Sequence, residues 1–123
     1  MSRIIKGEEL LCPIKYFMDL IGGKWKVSIL CVLSDGKPHR YGNIRKRLGN
    51  VTNTMLAKSL QELEIKGIIN RVQYNEIPPR VEYSLTDKGD SLIPIVVDMA
   101  KWTVENNSSD GVKVQCKTCR EIV

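Results

Sequence analysis

Apolar side chains recur at helical spacing through most of the first 66 positions. Trp25, Ile29 and Leu33 stand four residues apart with Leu30 beside them, and that single apolar stripe predicts a helix stopped by Asp35-Gly36. Before it, Cys12-Pro13 opens a short helix, because proline is favoured at the first helical position, and Gly22-Gly23 ends it. From Arg40 to Leu48 the pattern predicts a short, basic, amphipathic helix with Tyr41, Ile44 and Leu48 inward and Arg45 and Lys46 outward. Gly49 closes that helix. Only Asn50 and Val51 intervene before Thr52, a suitable N-cap for the next helix. There Leu56, Leu60 and Leu63 share one face at i, i+4 and i+7, and Gly67 marks the end. Two short helices joined by a tight glycine turn form the helix-turn-helix pattern.

The period then changes from 3.6 to 2. Asn70, Val72 and Tyr74 alternate with Arg71 and Gln73, and Val81, Tyr83 and Leu85 alternate with Glu82 and Ser84. These runs predict a hairpin with Asn75-Glu76-Ile77-Pro78-Pro79 at its tip. Prolines are tolerated there because tip residues owe no ladder hydrogen bond. Thr86 then caps a last helix to about Glu105, with a kink expected at Pro94, which lacks the amide that would bond Asp90. Its apolar residues (Leu92, Ile93, Val96, Val97, Met99, Ala100, Trp102 and Val104) wrap more than one face. Such a helix needs more than its own core to cover it. The polar run 106–111 reads as a turn or linker, dividing a domain over 1–106 from a tail over 107–123. Helix-turn-helix followed directly by a hairpin gives the expected fold class: α+β, mainly α, a winged helix-turn-helix.

Composition narrows the functional classes. The chain has 123 residues, 42% hydrophobic and 27% charged, which fits one ordinary globular domain. No stretch approaches the ~18 apolar residues of a membrane span. The first residues lack a signal-peptide core, so a cytoplasmic chain with reduced thiols is expected. Net charge is +5, and its distribution says more than its total. Between Arg40 and Arg80 stand eight basic and three acidic side chains, while the rest of the chain is balanced at eleven of each. Excess positive charge confined to one segment points to a polyanion, above all nucleic acid; the bland alternative is a solvated basic face.

Within that segment, the second helix of the pair is expected to lie in the DNA major groove, ~12 Å wide, with its N-terminal residues at the base edges. Thr54, Ala57, Lys58 and Gln61 fall opposite the leucine stripe, with Thr52 and Asn53 at the helix start. Asn and Gln pair with adenine, Ala and Thr methyls touch the thymine methyl, and Lys58 suits a phosphate. Arg40 heads the basic helix, and Arg71 lies outward on the first wing strand. Arg80 stands beside the stiff Pro78-Pro79 tip, where an arginine can enter a narrow minor groove. The competing reading of Arg80 is an edge charge that discourages sheet aggregation.

The runs Val51–Glu64, Gly67–Arg71 and Ile77–Thr86 resemble the HxlR family of winged-helix transcriptional regulators, which are MarR-like. Cys12-Pro13-Ile14, Gly23-Lys24-Trp25 and Trp102 match the same family, so the resemblance covers roughly residues 10 to 105. It implies a homodimer in which N- and C-terminal helices pack across a two-fold axis, and the expected interface is Leu92, Ile93, Val96, Val97, Ala100 and Val104. Two recognition helices would then meet a pseudo-palindromic operator of double-stranded DNA, about one turn (~34–36 Å) apart. The resemblance also makes Cys12 a candidate sensor of oxidants or electrophiles. Cys12 is expected at a helix N-terminus with Lys15 one turn away, both of which favour a thiolate; the alternative is a small packed residue near the dimer interface.

Cys31, inside an apolar helix, reads as core. Cys116 and Cys119 form a lone C-x-x-C, and His39 is the single histidine, so too few ligands exist for a structural zinc. The pair forms a disulfide, bridges to Cys12 of the other subunit, or is idle; the spacing leaves all three open. A thiol oxidoreductase is disfavoured because the motif does not open a helix after a strand. No catalytic set, phosphate-binding glycine loop or cofactor site is recognisable, so no enzyme activity is expected. The remaining alternative is a winged helix used as a protein-interaction module, which usually loses the basic recognition face retained here.

Overall fold

The computed structural model describes residues 3–5, 8–10 and 12–107. The tail assigned from 107 onward, including Cys116 and Cys119, lies outside them except for Asn107. A small antiparallel pair, β1 (Arg3–Ile5) and β2 (Glu8–Leu10), sets Arg3 opposite Leu10. Three-residue runs carry too little alternation to be read from sequence. Helix α1 (Pro13–Ile21) starts at Cys12-Pro13 and ends at Gly22, whose N–H bonds the Met18 carbonyl at 2.6 Å. Helix α2 (Lys26–Leu33) buries Ile29, Leu30, Val32 and Leu33. The core therefore takes more than one stripe of α2, as expected for a central helix enclosed on several sides.

A two-residue strand, β3 (His39–Arg40), leads straight into α3 (Tyr41–Leu48). Ile44 is fully buried, with Tyr41 and Leu48 half-buried against the core. Gly49 turns the chain at φ +85, a backbone region open to glycine and costly for a side chain. Helix α4 (Asn53–Ile65) follows, with Leu56, Leu60 and Leu63 pointing into the core. Fully burying each leucine contributes about 1.5–3 kcal/mol.

Strands β4 (Ile69–Tyr74) and β5 (Arg80–Leu85) form the predicted hairpin, in register from Ile69 opposite Leu85 to Tyr74 opposite Arg80. Strand β3 adds to the other edge of β5, pairing His39 with Tyr83 and Arg40 with Glu82, so the sheet order is β3-β5-β4. Arg40 is thus a strand residue and the N-cap of α3, and its backbone belongs to the wing sheet as much as to the helix. The winged helix expected from the sequence is the fold observed.

The C-terminal region departs from expectation. Thr86 caps a separate four-residue helix, α5 (Asp87–Asp90), by accepting the Gly89 N–H at 3.0 Å while donating to the Gly67 carbonyl at 2.6 Å. Gly89 is required here, because a Cβ would collide with the Ile68 carbonyl. The chain breaks at Ser91-Leu92 and α6 (Ile93–Asn106) begins anew. Pro94 sits in the first turn of α6, where its missing N–H costs nothing, so it starts a helix and does not kink one.

Candidate nucleic-acid interface

Helix α4 is anchored at its start by two side chains. The Thr52 hydroxyl accepts the Met55 N–H at 3.1 Å, satisfying one of the orphan donors of the first turn. From α3, the Tyr41 hydroxyl points at Asn53, 3.0 Å from its Oδ1 and 3.2 Å from its carbonyl oxygen. Tyr41 was read from sequence as an inward residue. It is half-buried, and its hydroxyl pins Asn53, the first residue of α4. Periodicity registers the ring's burial and carries no signal for what the hydroxyl reaches. Asn53, Thr54, Ala57, Lys58 and Gln61 are all exposed, on the side away from the buried leucines, with Thr52 exposed beside them. Met55, 42% exposed, flanks the same turn and was missed, because its apolar character marks it as core. Arg40 is exposed just before α3, whose last turn carries Arg45, Lys46 and Arg47.

At the wing, Arg71 is exposed on β4, and Ile77, Pro78 and Pro79 stand clear of the protein at the tip. Ile77 is wholly exposed, and the Ile77–Pro78 peptide is cis. Arg80 is held more closely than a free tip cation. Its guanidinium stacks over the Tyr74 ring at 4.1 Å, and its Nη2 lies 3.2 Å from Glu76 Oε1. The Arg80 side chain keeps 28% of its surface exposed.

His39 is committed to the junction between α2 and α3. Asp35 binds its Nε2 at 2.9 Å, and Asn43 Nδ2 lies 2.6 Å from its Nδ1. Burial raises the Asp35 carboxyl, but the bonds from His39 and the Lys37 amide outweigh it and hold the group below the usual carboxylate value. Among the described residues no cluster of three or more His, Cys, Asp or Glu is placed to hold a metal. Cys12 is the half-buried N-cap of α1. Its thiol is held below the ordinary cysteine value, foremost by the Lys15 backbone N–H, with the Ile14 N–H adding. Lys15 acts through its amide, where the sequence suggested its ammonium. Cys31 is half-buried on α2.

On α6 the expected interface residues divide. Val96 is buried at 4% exposure, and Leu92 and Ile93 pack against the domain's own core. These three are turned inward, Val97 and Ala100 are half-buried, and Val104 is exposed. The outward apolar surface is Ile95, Met99 and Trp102, which with Asp98 and Thr103 line an open groove of about 480 Å³. On α1, Ile14, Tyr16 and Met18 are exposed as well.

A capped, polar-faced second helix beside a basic-flanked hairpin defines a winged-helix DNA-binding protein of the helix-turn-helix class. Residues 20–110 match the HxlR-like helix-turn-helix family, and the chain belongs to it. An uncharacterized HTH-type transcriptional regulator of Methanothermobacter thermautotrophicus is 48% identical over 95 residues, covering 77% of this chain and 72% of that protein. Among solved structures, the redox regulator HypR in its oxidized form superposes with a TM-score of 0.72 at 42% identity, covering 77% of this chain and 97% of that one. The reduced form of the transcriptional regulator YodB from B. subtilis gives 0.70 at 32% identity, covering 81% and 98%. The chain is a helix-turn-helix transcriptional regulator. Among the described residues no helix is long and apolar enough to cross a membrane.

Proposed function

We propose that this regulator acts as a cytoplasmic, nucleoid-associated homodimer on a pseudo-palindromic operator. The carrying observation is the exposed row Asn53, Thr54, Ala57, Lys58 and Gln61 on a capped helix, within the segment that holds the chain's excess positive charge. In this reading α4 lies in the major groove with Asn53 and Gln61 at base edges and Lys58 at phosphate. Arg71 and the Pro78-Pro79-Arg80 tip meet the flanking minor groove, and Arg40 and Thr52 border the backbone. Exposed apolar side chains on α1 and α6 supply the self-association surface: Ile14, Tyr16 and Met18 on one, Ile95, Met99, Trp102 and Val104 on the other. A surface of that kind on a small domain marks an interaction site.

Titrating the full-length protein onto the DNA upstream of its own gene at two salt concentrations tests this reading. A dimer engaging about six phosphates should protect a discrete site and lose about 10³-fold in affinity between ~50 and ~200 mM salt. Undetectable or salt-insensitive binding favours a protein-interaction module.

In the same reading Cys12 is the switch. Its lowered pKa raises the thiolate fraction at neutral pH, and the thiolate is the species oxidants and electrophiles attack. The similarity to HypR, a redox regulator by name, supports it. Cys12→Ser should abolish release from DNA by diamide or a quinone, and a variant that still releases relocates the switch.

A further inference from the structure

We propose that Glu76 is a specificity-determining residue of the DNA interface. It holds the Arg80 guanidinium as an internal substitute for a minor-groove edge, so that Arg80 is surrendered only to strongly negative DNA. This rests on the reading above that Arg80 meets the minor groove. Arg80 lies between two carboxylates and a ring: Glu76 Oε1 at 3.2 Å, Glu82 Oε2 at 3.9 Å and the Tyr74 ring centroid at 4.1 Å. Glu82 is too far for a hydrogen bond to Arg80 Nε, which is buried with no hydrogen-bond partner among the described residues. A buried, unpaired guanidinium N–H destabilises the closed pose. The Glu76 side chain is 49% exposed, so its pair with Arg80 is screened by water and can exchange. The closed pose is therefore formed yet incompletely satisfied, and a ligand with more acceptors can draw Arg80 out.

DNA sequences differ in how strongly they can do so. The narrow minor groove of an A-tract carries an enhanced negative potential that attracts arginine, and wider G·C-rich grooves offer less. A duplex that draws Arg80 out must break the Glu76 pair and bears its full cost, whereas a weakly attracting one leaves Arg80 on Glu76 and forgoes only a small contact. Specificity is a difference of affinities, and this internal competitor narrows that difference by tempering the preference for an A-tract. Pro78 and Pro79 restrict the backbone between Glu76 and Arg80, so the two side chains stay in reach of each other in the free protein.

Two duplexes decide the matter, each built on the segment protected in the gene's upstream DNA, one flanked by an A-tract and one by G·C-rich sequence. Wild type, Glu76→Gln, Arg80→Gln and the double variant are titrated against both, with thermal midpoints confirming that each is folded. Glu76→Gln should tighten binding to the A-tract duplex about two- to fivefold, gain less on the G·C-flanked one, and change nothing in the Arg80→Gln background. An equal gain in the Arg80→Gln background means Glu76 merely repels DNA at a distance, and overturns the proposal. An equal gain on both duplexes, or none on either, also overturns it. If Arg80→Gln binds both duplexes as tightly as wild type, Arg80 is not at the groove and the underlying reading fails. If Arg80→Gln weakens binding while Glu76→Gln has no effect, that reading stands and the proposal alone falls.

Discussion

Helices α4 and α6 are nearly equal in length, 13 and 14 residues, yet they use their apolar side chains differently. On α4, Leu56, Leu60 and Leu63 all enter the core, and the exposed remainder is mainly polar, with Met55 and Ile65 its large apolar side chains. On α6, Val96 is buried and Leu92 and Ile93 at its start pack on the core, while Ile95, Met99 and Trp102 face outward around an open groove. One helix has an apolar face that matches its own domain. The other carries apolar surface in excess of what its domain covers. A helix of the first kind shows its solvent face in its sequence; a helix of the second kind does not say which of its apolar faces is the internal one.

The sharpest way to break this contrast is to truncate both. Leu56→Ala should cost about 2–5 kcal/mol in denaturant unfolding, because Leu56 is fully buried and its loss leaves a cavity. Trp102, 63% exposed, should behave otherwise. Trp102→Ala should leave the far-UV spectrum intact and weaken self-association by about 2 kcal/mol or more, read by sedimentation equilibrium, as aromatic anchors do at interfaces. Unchanged association would remove the α6 groove from the dimer contact. Thr52→Ala should cost less than either, about 1 kcal/mol in the same unfolding assay, since it removes one cap bond from α4 and no packing.

What could be read from the chain follows the same division. The core face of α4, its Thr52 cap and the two strands of the wing were legible because each rests on a local period or a local hydrogen bond. The two-residue β3 was not, because its pairing is with β5, more than forty positions away. The break between α5 and α6 was missed because helical periodicity runs on through Ser91 and Leu92, while Thr86 closes α5 on the distant Gly67 carbonyl. The exposed row on α4 was read from its leucines by elimination. That Tyr41 pins Asn53, and that Glu76 and Tyr74 hold Arg80, depends on side-chain reach across elements, which spacing does not encode. Likewise Leu92, Ile93 and Val96 were expected at a subunit contact, because hydrophobicity alone does not distinguish a domain's own core from a partner's.

The smallest expected effect concerns how α4 is tied to the rest of the domain. Lys26 on α2 pairs with Glu62 on α4, Nζ to Oε2 at 2.5 Å. The hydrogen bond from Lys26 holds the Glu62 carboxyl below its ordinary value, against a smaller opposing effect of burial, with the charges of Lys26 and Lys58 adding. A carboxyl whose folded pKa is depressed contributes stability that is complete above its unfolded pKa and is lost as pH falls through the folded one. The pair should therefore stabilise α4 fully at neutral pH and fade only below the ordinary carboxylate range. Glu62→Gln isolates the effect. Its denaturant midpoint should lie below that of wild type at neutral pH, and the gap should close on acidification. A gap that stays constant with pH would mean Glu62 holds α4 by packing and not by charge. No such pair involving α6 is seen among the described residues, so the acid sensitivity that disappears with Glu62→Gln should belong to α4 and leave the self-association proposed through Trp102 unaltered.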